Sequence, residues 1–243
     1  MPATTSPLRQ TGDRKSLLHS PILSLTEVAA LTSTPAQRLQ RWTTGSDPLV
    51  RSERRHGRNW PSMSFVGLAE AEVVLQLRER YSAKRVRQLV AVLRSRNQDY
   101  AVDSPTLVTD LTHAFMLDEE DLERVTDRQG AFKESLDGNL HRLRIGLDGT
   151  VEAFIPDRLD GMSSVDPRFN GGALSITRNR APVAAIAGMI VAGESLESVA
   201  YNYALDPSEV EAIDHDLEWA AAASGLDVAP DDLRRPEPRQ ARR

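Results

Sequence analysis

The sequence predicts a mainly α protein of the α+β type: a winged helix-turn-helix in front, a small central β-hairpin, and a three-helix unit, itself helix-turn-helix-like, behind. Three observations predict it. Apolar residues recur at helical spacing, between capping signals, near both ends of the chain. Period-two alternation around an Asp-Gly pair marks a hairpin within residues 140–155. Charge is segregated along the chain, with a net +8 over residues 37–96, −9 over 97–170, −9 over 171–232 and +4 over the last eleven.

Composition removes several classes at once. The chain has 243 residues and no cysteine, so it has no disulfide framework, thiolate metal site or thiol nucleophile. Its mean hydropathy is −0.40, and no apolar run approaches the roughly 18 residues of a membrane span. The opening MPATTSPLRQTGDRKSLLHS is polar and lacks the apolar core of a signal peptide. A cytoplasmic protein is expected, with residues 1–21 a flexible N-terminal segment.

The basic unit is expected over residues 22–96. Ser24 and Glu27 have the spacing of a reciprocal capping box, which starts a helix at Leu25. Leu25, Val28, Ala29 and Leu31 form its apolar stripe; Thr32 to Thr34 break it, and Pro35 opens a second helix. There Leu39 and Trp42, three apart, anchor the core and leave Gln37, Arg38, Gln40 and Arg41 outward. Those side chains can donate to base edges and phosphates. Arg51, Arg54, Arg55, His56 and Arg58 around Gly57 suit a basic β-hairpin wing that grips phosphates, or an arginine-rich loop that is merely solvated. Two amphipathic helices follow. One has Phe65, Leu68, Val73, Leu75 and Leu77 on its apolar side; the other, capped by Ser82, has Val86, Leu89, Val90 and Leu93 inward and Arg85, Arg87, Arg94 and Arg96 on its outer surface.

Residues 97–165 read as an acidic connector: a polar stretch with Pro105, a rough strand candidate over 107–115, then the hairpin of residues 140–145 and 151–155 about Asp148-Gly149. The run Asp118 to Asp121 suits a solvated face better than a cation site. Over residues 166–224, Pro182 opens a helix that Gly193 closes, and Ser195 or Glu194 starts a second. Asp206-Pro207 starts a third, with Val210, Ile213, Leu217 and Trp219 inward or near it, and Glu209, Glu211, Asp214, Asp216 and Glu218 outside. Five carboxylates there oppose DNA phosphates, so DNA is assigned to the front unit. Residues 225–243 form a basic, proline-rich tail.

The order helix, turn, arginine-bearing helix ending in Trp42, basic wing and two helices resembles the winged helix-turn-helix domain of the MerR type. Gly171 and Gly172, Thr177-Arg178, Arg180, Pro182-Val183 and GESLESVAYNYALDPSEVEAI are similar to the small helical domain, long catalogued as of unknown function, of VapB-type antitoxins. The resemblance implies an antitoxin that neutralises a PIN-domain ribonuclease toxin and represses their shared operon. It places Gln37, Arg38, Gln40, Arg41, Arg51, Arg54, Arg55 and Arg58 on operator DNA. In the tail, Arg234, Arg235, Arg239, Arg242 or Arg243 could pair with the toxin's clustered carboxylates, or simply solubilise the chain. Helix-turn-helix proteins usually read paired half-sites as dimers, so a homodimer is expected. No enzyme, cofactor or metal is expected: phosphate loops and spaced histidines are absent, and His113, His141 and His215 lie on unrelated segments. The rival is a MerR-like regulator that answers a small molecule through its middle segment, with no toxin; a protein-only scaffold is a third class.

Overall fold

The computed structural model describes residues 17–53, 60–96, 141–147 and 150–229. Their architecture is mainly α, with three two-stranded antiparallel sheets. Strand β1 (Pro21–Leu23) leads into α1 (Leu25–Leu31), and α2 (Ala36–Trp42) follows a tight turn. After β2 (Met63–Ser64) come the long helices α3 (Phe65–Arg80) and α4 (Ala83–Arg96). The hairpin β3 (Leu143–Ile145) and β4 (Val151–Phe154) precedes a second small sheet of β5 (Ser163–Ser164) and β6 (Ser175–Ile176). Four helices close the described chain: α5 (Val183–Val191), α6 (Leu196–Tyr203), α7 (Pro207–His215) and α8 (Leu217–Ala223).

Local chemistry sets most of these boundaries. Ser24 accepts from the Glu27 amide while Glu27 accepts from the Ser24 amide, the reciprocal cap that starts α1. Ser64 and Ser82 hydroxyls accept from the amides of Gly67 and Arg85 at the starts of α3 and α4. Gly193 takes φ +88°, which lets its amide and that of Glu194 return to the carbonyls of Ile190 and Met189 and end α5. Asp206 and Glu209 make a second capping box on α7.

Four expectations change. Order begins before residue 22: residues 17–19 form a helical turn, Leu18 is buried, and β1 pairs with β2 some forty residues away. Helix α3 is not amphipathic over its first ten residues, where Phe65 through Val74 are all buried, Glu70 and Glu72 included. Arg94 does not decorate the outside of α4; it points inward with its side chain 9% exposed. The expected third helix of the rear unit breaks at Asp216 (φ −100°, ψ 27°), and α8 sets off in a new direction.

That change of direction joins the two ends of the molecule. Helix α8 packs against both α5 and α1, and the Trp219 indole Nε1 donates to the Ala30 carbonyl at 3.0 Å. Buried residues of α1, α3, α5, α7 and α8 belong to one contiguous apolar core. The strand candidate of 107–115, the acidic run 118–121, the Asp148-Gly149 turn and the tail beyond residue 229 lie outside the described residues.

Candidate nucleic-acid interface

Helix α1 is fixed from behind, because Leu25, Val28, Ala29 and Leu31 are all buried. The turn to α2 is tight: the Thr32 hydroxyl donates to the Val28 carbonyl at 2.8 Å, and Ser33 adopts φ +53°. In α2 the two apolar residues three apart, Leu39 and Trp42, are buried, so the opposite side faces solvent. Gln37, Arg38, Gln40 and Arg41 are all exposed on it. The Arg41 Nε donates to the Gln37 carbonyl over a long 3.4 Å. Two amides and two guanidiniums on one short helix form a donor surface that can address phosphates and base edges.

A strap of residues 47–51 runs from the end of α2 toward the basic loop. It folds back on α2 through the Val50 amide, which donates to the Trp42 carbonyl at 3.0 Å. The Arg94 guanidinium donates to the carbonyls of Pro48 (2.6 Å) and Leu49 (3.1 Å). The Glu70 carboxylate accepts from the Arg51 amide at 2.8 Å and lies 3.4 Å from Arg94 Nη2. The Glu53 amide donates to the Ser62 carbonyl at 2.7 Å, which closes the base of the loop, and Trp60 stands 62% exposed beside it. Arg51 is half-buried at this root. The other wing residues, Arg54, Arg55 and Arg58, lie outside the described residues, as do Arg234, Arg235, Arg239, Arg242 and Arg243 of the tail. Arg87 is exposed on α4 and reaches the Asp47 carbonyl at 3.4 Å, so another cation borders the same edge.

The carboxy-terminal unit presents a different surface. Arg178 is engaged by Glu209, with Nε donating to Oε1 at 2.9 Å and Nη2 to Oε2. That pair holds the Glu209 carboxyl below its ordinary range, despite the opposing effect of burial. Arg180 stacks on the Phe169 ring at 4.0 Å from its centroid. Asn170 braces the loop between them by donating to the Ser175 hydroxyl and the Arg180 carbonyl. Of the five carboxylates expected outside, Glu211 and Glu218 are exposed, whereas Glu209, Asp214 and Asp216 are half-buried, Glu209 paired with Arg178 and Asp216 with Arg158.

A buried ionic chain ties the central hairpin to α3. Glu72 accepts from Arg142 Nη1 at 3.0 Å and from Gln76 Nε2 at 2.9 Å. Arg142 also engages Asp157, whose other oxygen lies 2.7 Å from His141 Nε2. Burial pushes the Glu72 carboxyl above its ordinary range, against the lowering pull of Arg142. Burial also acts to raise Asp157, but His141 and Arg142 outweigh it and hold that carboxyl low. Sequence reading missed both buried glutamates. The signal was present in VGLAEAEVVL, where two carboxylates interrupt an apolar helical run and require cationic partners from elsewhere. Among the described residues no group of three or more His, Asp or Glu side chains could hold a metal ion, and no helix is long and apolar enough to cross a membrane.

The class of molecule is therefore a mainly α chain with a helix-turn-helix head, whose basic outer helix is strapped to a buried ion pair of the head's own long helices, Glu70 and Arg94. Residues 164–213 match the family described as "Protein of unknown function (DUF433)". The fold is similar to the crystal structure of Rv2018 from Mycobacterium tuberculosis, with a TM-score of 0.64 and 21% identity, over 80% of this chain and 98% of that one. No curated protein matches the chain.

Proposed function

We propose that this chain is an antitoxin, a binding protein rather than an enzyme. It acts in the cytoplasm as a homodimer, represses its own operon by binding operator DNA, and neutralises a PIN-domain ribonuclease toxin by direct contact. The observation that carries the DNA half is α2, where Leu39 and Trp42 are buried and Gln37, Arg38, Gln40 and Arg41 are all exposed. It lies within the segment of net charge +8, whose arginines Arg51, Arg54, Arg55 and Arg58 supply phosphate contacts. The toxin half rests on the likeness of the rear unit to VapB-type antitoxins, and the five tail arginines from Arg234 to Arg243 are its contact.

The test is affinity capture of the tagged chain from its own cells, followed by a ribonuclease assay on any stoichiometric partner. A small nuclease, silent in the complex and active once released, is the expected result. DNA alone in the eluate, with affinity that changes on adding a small molecule, would replace this reading with the ligand-responsive regulator. Arg41→Ala is expected to weaken operator binding by about 1 to 3 kcal/mol if the side chain reads a base edge. A fluorescence titration repeated over a salt series checks it, and unchanged affinity at every salt concentration removes Arg41 from the interface.

A further inference from the structure

An ion pair, Glu70 with Arg94, lies buried behind the strap. Three backbone groups of residues 47–51 turn toward the protein interior: the carbonyls of Pro48 and Leu49 and the amide of Arg51. Each needs a partner, because an unpaired buried peptide group costs about as much as a lost hydrogen bond. Arg94 supplies both donors and Glu70 the acceptor, from two different helices. Glu70 is wholly buried and Arg94 nearly so, and the two lie 3.4 Å apart. A carbonyl-filled strap could have been built on neutral side chains; a buried ion pair is seldom the most stabilising choice, and its better attested use is to fix one geometry.

The strap in turn fixes α2. The Val50 amide donates to Trp42, the residue that follows Arg41, and Leu49 and Val50 are buried beneath. Thus the path Glu70 and Arg94, strap, Trp42, Arg41 is continuous through contacts no longer than 3.4 Å. We propose that Arg94 and Glu70 are positioning residues for DNA recognition: they hold the end of α2 at the pitch and depth that Arg41 needs to reach DNA. This inference rests on the DNA half of the proposed function and adds to it the device that orients the reading helix.

A double-mutant cycle in the full-length chain tests it, with Arg94→Lys and Arg41→Ala on a DNA duplex of about 30 base pairs from its own upstream region, long enough for two half-sites. Lysine keeps the charge but cannot hold two carbonyls and a carboxylate in one plane. R94K is expected to lose about tenfold in affinity, while the double variant binds no more weakly than R41A alone, because a misplaced Arg41 and a missing Arg41 are equivalent. Fully additive losses would overturn the positioning role, and so would a fall in Tm with DNA affinity unchanged well below it. If R94K loses its cooperative melt, Glu70→Gln carries the same cycle, since its amide oxygen still accepts from the Arg51 amide. If the unmutated chain shows no salt-dependent affinity for the duplex, the DNA reading itself has failed; additive losses in a chain that does bind overturn the positioning role alone.

Discussion

Arg142→Met is expected to lower the stability of the whole described fold by about 3 to 5 kcal/mol, or on the order of 10 °C in Tm for a chain of this length. The reason is what the arginine leaves behind. Glu72 is wholly buried on α3, and among the groups acting on its charge Arg142 exerts the largest lowering pull. Methionine matches the volume and can still pack against Phe154, over which the guanidinium now sits at 5.8 Å. It cannot compensate the carboxylate. The sign of the pH dependence follows. Glu72 has a raised carboxyl in the folded protein, so its burial costs nothing below the unfolded value of 4.5 and opposes folding as pH rises through the folded value. Removing Arg142 raises that folded value further and widens the window. Asp157 acts in the other direction in the unmutated chain: its lowered carboxyl adds stability above 3.8 that is lost in acid, and part of it comes from Arg142. Both groups are neutral at low pH. The gap between variant and parent should therefore be wide at pH 7 and shrink below about pH 4.5, which thermal melts at three pH values would read. Glu72→Gln in the same chain should recover most of the loss, because it removes the charge that was stranded. A gap of equal size at all pH values would assign the loss to packing alone.

That ionic chain also marks where sequence reading ran out. Signals within one turn of a helix were legible: the Ser24 and Glu27 box, the breaks at Gly193 and before Pro207, and the burial of Leu39 with Trp42 that leaves Gln37, Arg38, Gln40 and Arg41 outside. The hairpin of β3 and β4 was legible for the same reason, since its signal in sequence, alternation about Asp148-Gly149, is local; the two strands pair antiparallel, with an irregular register between Arg144 and Ile145. Contacts between distant residues were not. Arg94 reaches back 46 positions to Pro48, and Arg142 reaches 70 to Glu72. Arg94 follows Val90 by four and so borders the apolar stripe of α4; its charge alone reads it as outward, whereas the strap offers it two carbonyls and a carboxylate. The sheet of β1 and β2 fails to show locally because each strand is only two or three residues long, too short for alternation. The path from Glu70 to Arg41 is thus half visible in sequence. The reading face can be derived from spacing, and the part that orients it cannot.

A second large effect is expected from truncation, and it separates the roles of α8 and the tail. Removing residues 217–243 should abolish the cooperative melt of the helix-turn-helix head, although the cut lies nearly two hundred positions after α1. Helix α8 is LEWAAAA, and its alanines allow close approach: Ala220, Ala221 and Ala223 are buried, with Leu217, between α1 and α5. Its loss would uncover the side of α1 that it packs against and withdraw the Trp219 donor from the Ala30 carbonyl. A cost on the order of 5 kcal/mol or more compares with the entire stability of an ordinary domain. Removing only residues 230–243 leaves α8 and its cap, where the Ser224 and Leu226 amides return to Ala221, and Tm should stay within about 2 °C of the parent. On the antitoxin reading, that shorter cut should nonetheless abolish inhibition of the captured nuclease while leaving DNA affinity in place. Trp219→Phe is the fine control. It removes one hydrogen bond and little volume, so a loss of about 1 kcal/mol is expected. Circular dichroism melts of the three variants decide the matter. A chain ending at residue 216 that melted like the parent would show that α1 is held by the head alone. Failure of that chain alone would mean that α8 is part of the fold that holds the DNA-reading helix in place.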